Sequence, residues 1–162
     1  MYLLFNNKIF VNFVLCGIIL LVQAYSPKIP ITENLNVSLD LLLIFITFLV
    51  LLNKTFYIVF IAFFLGLFQD FIINVEAIGL CSFIKSMSVY YLSKIKLNNN
   101  LWSVFFKLLY IFAIYYVHFL FYYFVINLNF NSLILLLSLL HALFALFVFY
   151  IINKFFLNSN LL

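Results

Sequence analysis

The sequence predicts an all-α integral membrane protein: a bundle of about six transmembrane helices with both termini in the cytoplasm. Three observations predict it. The 162 residues are 69% hydrophobic and only 7% charged, against roughly 25% charged in water-soluble domains. That leaves too little polar material to coat a surface in water. Apolar runs recur between short polar clusters, each near the ~17–25 residues that cross a bilayer as a helix. The runs are continuously apolar rather than alternating at every second residue, which disfavours a β-barrel.

The six predicted spans are residues 9–25, 37–52, 55–73, 77–92, 101–126 and 133–152. The first ends in Gln23-Ala24-Tyr25-Ser26-Pro27 without a small-x-small cleavage site, so it reads as a retained span and not a signal peptide. Pro27 and Pro30 stop it and stiffen the longest loop, residues 26–36, because proline cannot continue a helix. The second span is short and closes on a tight inner turn at Asn53-Lys54. The third returns outward and meets the short fourth through an outer turn at residues 74–76. Residues 97–100 turn the fourth into the fifth, which is long enough to tilt. Residues 127–131 join the fifth to the sixth outside. No segment is large enough for a separate soluble domain, so residues 1–162 read as a single transmembrane domain.

Lysine placement orients the bundle, since cytoplasmic loops carry the excess of basic residues. With the N-terminus inside, the inner segments hold Lys8, Lys54, Lys94, Lys96 and Lys154, while the outer segments hold Lys28, Glu33 and Glu76. The net charge of +4 is then a topology signal, with some attraction to anionic inner-leaflet lipid. No basic patch is interleaved with exposed aromatics in a polar setting, so nucleic acid is not an expected partner. Cys16 and Cys81 lie in separate apolar runs and read as small buried hydrophobes. The chain has no arginine and 24 phenylalanines, a bias that an AT-rich genome favours. Tyr115-Tyr116 and residues 121–124 therefore read as lipid-facing or interfacial aromatics.

Ionisable residues inside such spans mark functional or structural sites. Ala62, Gly66 and Asp70 recur at four-residue steps, which places them on one helical face, and small residues there let another helix approach closely. On the fourth span Ser82, Lys85, Ser86, Val89 and Ser93 form a largely polar line. Folding the hairpin brings Asp70 level with Cys81 and sets Lys85 about one turn deeper. Both charges are expected to face the bundle interior, with Lys85 a candidate partner for Asp70. The alternative has Asp70 meeting water and headgroups while Lys85 bonds serines of its own helix. Lys107 is expected to snorkel to the cytoplasmic headgroups. His118 and His141 read as interhelical hydrogen-bond partners. No paired-carboxylate motif, phosphate-binding loop, HExxH or nucleophile–His–acid arrangement is visible. Four scattered acids do not assemble a metal site, so neither enzymatic activity nor a metal or cofactor is expected.

The Gly66-x-x-x-Asp70 pattern at the end of one span, followed nine residues later by Gly79-Leu80 opening the next, resembles the bacterial rod shape-determining protein MreD family. The fourth span continuing to Tyr90-Tyr91-Leu92 agrees with it. That family often carries Pro-Asp/Asn-Leu at the start of the second span. Here Ser38-Leu39-Asp40-Leu41 keeps the acid and loses the proline. The resemblance implies a non-enzymatic, multi-pass scaffold in the bacterial inner membrane. It would bind MreC and, through it, the MreB filament and the side-wall peptidoglycan synthases, a shape-type glycosyltransferase and a class B penicillin-binding transpeptidase. The structural and interaction positions would be Asp40, Ala62, Gly66, Asp70, Gly79 and Lys85. The family is similar in fold to the substrate-binding membrane subunits of energy-coupling-factor vitamin transporters, which supplies the alternative function. That alternative predicts a polar-lined cavity open to the outer face and a small-residue cytoplasmic surface. Six alanines and three glycines offer little of the latter.

Overall fold

A computed structural model describes residues 2–25, 29–32, 35–37, 40–52, 55–73, 77–128 and 131–155. Six helices dominate: α1 (Tyr2–Tyr25), α2 (Leu41–Leu52), α3 (Thr55–Ile73), α4 (Leu80–Leu97), α5 (Val104–Asn127) and α6 (Ser132–Phe155). Between α1 and α2 lies a two-stranded antiparallel ribbon, β1 (Ile29–Thr32) and β2 (Leu35–Val37). The turns expected at 53–54 and 74–76 lie outside the described residues, as do Lys28, Glu33, Ser38, Leu39, Lys54, Glu76 and the side chain of Lys8.

One expected loop and the span after it change shape. The chain is not wholly α, because part of the proline-stiffened loop pairs with itself, Ile29 opposite Val37 and Pro30 opposite Asn36. A two-stranded ribbon has only edges, where the missing N–H of Pro30 breaks no interior ladder. The second span accordingly begins at Leu41 and not at residue 37. Asp40 sets that boundary by accepting a 3.0 Å hydrogen bond from the Leu43 N–H, the bond an N-cap side chain makes to the third helical residue. At 12 residues, α2 is only ~18 Å long. It is apolar on every side, as a helix enclosed by others must be, and nine of its residues, from Leu42 to Leu51, are buried.

Around α2 stand two helical hairpins. α3 packs closely on α4, and α5 on α6, while α4 also touches α2 and α5. Phe48 of α2 stacks on Phe149 of α6 with ring centroids 4.7 Å apart. α5 and α6 are each long and apolar enough to cross a membrane. The remaining outward faces are apolar too: Phe60, Phe64, Phe68 and Phe71 lie exposed along α3, and Phe105 and Phe147 on α5 and α6. Asp70, Lys85 and Ser138 are fully buried. Polar inside and apolar outside is the reverse of what water selects.

Candidate functional site: a buried charge cluster

Asp70 and Gly66 explain the central motif first. One oxygen of the Asp70 carboxylate accepts from the Gly79 and Ser82 N–H groups at 3.0 and 3.3 Å, and the other from the Cys81 N–H at 3.2 Å. A helix begins with N–H groups that have no intrahelical partner, and Asp70 supplies acceptors to the start of α4 from the neighbouring helix. Its negative charge also suits the positive end of the α4 dipole. Gly79, at φ 96°, takes the left-handed conformation that glycine adopts without steric cost. One turn before Asp70, Gly66 lies against the backbone of Cys81 and Ser82. Ala62 is fully buried on the same face. The spacing therefore serves close packing, as its residue types imply.

The candidate Asp70–Lys85 pair does not form. Lys85 instead donates to the carboxylate of Asp40, 45 residues earlier, and makes its salt bridge there. The reason is geometric: backbone amides already occupy Asp70 at the top of α4, while α2 lies along α4 and carries Asp40 at its start. Both partners are buried, Lys85 completely.

Asp40 gathers further ligands. Gln23, near the end of α1, donates its amide N–H to Asp40 Oδ1 at 3.3 Å and accepts the Leu42 N–H at 3.1 Å. His118 Nε2 of α5 lies 3.6 Å from Asp40 Oδ2. Side chains from α1, α4 and α5 thus converge on the cap of α2. Three donors, the lysine, the Gln23 amide and the Leu43 N–H, stabilise the carboxylate in its charged form and replace the water that burial removes.

Ser88, His118 and Asp40 stand in the order of a nucleophile, base and acid, yet the proton polarity is reversed. Ser88 Oγ donates to the Ile84 carbonyl at 2.8 Å. Its 3.1 Å hydrogen bond with His118 Nδ1 therefore takes the proton from the imidazole. A base activating a serine must accept at that nitrogen. The arrangement ties α4 to α5. His141 makes an equivalent tie, joining Tyr123 of α5 at 2.9 Å from α6 and stacking on Phe119 with ring centroids 3.7 Å apart. The two histidines thus bond neighbouring helices through separate partners.

A cavity of about 20 Å³ lies among Gln23, Asp40, Gln69, His118, Tyr123 and His141, room for one water molecule. Gln69 Oε1, buried beside it, has no hydrogen-bond partner among the described residues. Among the described residues no group of His, Cys, Asp and Glu has the makings of a metal site. Cys16 and Cys81 are both buried.

Comparison of the chain with known protein families, curated proteins and solved structures finds no match.

Several participants were not singled out in the sequence. Gln23 and Gln69 are polar residues inside apolar runs, the only signal that marked them. Tyr115 and Tyr123 lie in aromatic stretches that read as lipid-facing, yet both are buried. Tyr115 OH joins Thr47 Oγ1 at 2.8 Å, and because Thr47 donates to the Leu43 carbonyl, the phenol is the donor. Lys107 reaches back toward the α4–α5 turn. It is buried and donates to Asn99 Oδ1 at 2.6 Å, because the α4–α5 turn folds over it.

Asp70→Ala is expected to lower stability by ~2 kcal/mol or more, since it leaves buried N–H groups unpaired and removes a cap. Asp70→Asn, which keeps an acceptor, should cost less. Thermal unfolding of the detergent-solubilised protein measures both.

Proposed function

We propose that this chain is a multi-pass scaffold of the bacterial inner membrane, with six crossings and both termini in the cytoplasm, serving cell elongation as its MreD-like motifs imply. One observation carries the scaffold reading. The buried charges Asp40, Asp70 and Lys85 are each spent on fixing one helix against another, and the outward faces are apolar. Lys94, Lys96 and Lys154 occupy the last turns of α4 and α6, the ends that the lysine bias assigns to the cytoplasm. α2, too short to span lipid alone, would cross where protein surrounds it and satisfies its cap.

In this reading the chain has no catalytic role. Its rigid outer helix faces bind the membrane anchor of MreC and, through it, MreB and the wall synthases. The transporter-subunit alternative needs a cavity for a vitamin-sized ligand, and ligand pockets usually enclose ~300–1,000 Å³. The polar cavity near Asp40 holds about 20 Å³. The space of ligand size among the described residues, about 380 Å³ between α4 and α5, is walled mainly by apolar side chains and not by the polar lining the alternative needs, which favours the scaffold.

Gentle solubilisation, affinity purification and identification of bound proteins test the assignment. Recovery of MreC or a wall synthase is the expected result, together with rounding of rod-shaped cells on depletion. Recovery of a coupling-factor ATPase would overturn it in favour of the alternative.

A further inference from the structure

We propose that the groove between α4 and α5 binds one phospholipid, its acyl chain in the groove and its anionic headgroup at Lys94. The groove encloses about 380 Å³ and is lined along α4 from Phe83 to Lys94. The rise from Phe83 to Lys94 is ~16 Å, close to one leaflet's share of the ~30 Å hydrocarbon core. Spread over that length, the volume of about 380 Å³ leaves a cross-section of ~24 Å², far smaller than the ~80–110 Å² cross-section of a helix ~10–12 Å across. A single hydrocarbon chain fits where a partner's helix does not.

The lining chemistry agrees. Ser88 and His118, polar groups midway along the groove, bond each other and leave the wall largely apolar. At the other end Lys94 is exposed in the last turn of α4. Its ammonium lies 5.2 Å from the centre of the Tyr91 ring, and no carboxylate among the described residues pairs with it. A cation without a counter-ion at the mouth of an acyl-length groove has the complementarity of a phosphate headgroup joined to its tail. The proposal rests on the membrane reading above and is independent of any protein partner.

Native mass spectrometry of the full chain, released from mild detergent, tests it with added phosphatidylglycerol and phosphatidylcholine of matched chains. The wild type should retain one phosphatidylglycerol in about fivefold preference over phosphatidylcholine, the effect of one basic residue at a lipid surface. Lys94→Gln should erase that preference while keeping tail binding. Ala113→Phe, which fills the groove from α5, should lose both lipids with thermal stability unchanged. Lys154→Gln, a basic residue outside the groove, should change nothing. Equal retention of the two lipids by the wild type would overturn the proposal, as would undiminished binding in Ala113→Phe or an equal loss of preference in Lys154→Gln. A chain that stays soluble without detergent would refute the membrane reading itself, an outcome separate from all of these.

Discussion

Lys85→Met is expected to destabilise the folded protein by ~3–5 kcal/mol, the usual cost of stranding one member of a buried ion pair. The substitution keeps an apolar side chain of similar length, so most of the loss comes from the Asp40 carboxylate left without its cation. Gln23 and the Leu43 N–H still donate to it, but neither carries a formal charge. The effect should spread beyond α4, because Asp40 caps α2 and is held by α1 as well. Loosening should therefore appear as protease sensitivity or hydrogen exchange at the start of α2, read alongside the melting temperature.

Gly66→Val is expected to have a comparable effect by a different route. Even a Cβ at this position would lie 2.5 Å from Ser82 Cα, 2.6 Å from Ser82 N and 2.8 Å from Cys81 C. All three are backbone atoms, so no side chain can swing away, and α3 must separate from α4. Overpacking of this kind typically costs ~1–3 kcal/mol. The separation also pulls Asp70, one turn further on, away from the three N–H groups it caps. Gly66→Ala should already show much of this loss. Gly17→Ala is the control. A Cβ there meets nothing within 4 Å, and the higher helix propensity of alanine should leave stability unchanged or slightly raised.

The sequence made some of this legible and hid the rest for identifiable reasons. The four-residue spacing of Ala62, Gly66 and Asp70 announced a close helix contact, since only small residues permit one. That Asp70 and Lys85 face the interior followed from the cost of charge in lipid, and both are fully buried. Their partners did not follow. Asp70 bonds backbone amides, which every residue but proline has and no side-chain pattern reveals. Lys85 looked to the nearest acid in its own hairpin, whereas its true partner depends on how α2 lies against α4. Asp40 stood out only through the family resemblance. The ribbon of β1 and β2 was hidden by Pro30, which argues against helix and equally well for a loop. Tyr115 and Tyr123 were indistinguishable from lipid-facing aromatics because both environments accept the ring. Only the neighbouring hydroxyl or imidazole separates them.

At the centre of the fold two buried charges, Asp40 and Lys85, lock helices together as a pair. A double-mutant cycle tests it most directly, comparing Asp40→Asn, Lys85→Met and the combined variant in thermal unfolding. Asparagine keeps an acceptor for the Leu43 N–H, so the cycle isolates the charge interaction from the cap. The account predicts that each single variant loses ~3–5 kcal/mol. The double variant should recover most of that loss, because neither charge is then left alone. Additive losses in the double variant would contradict it.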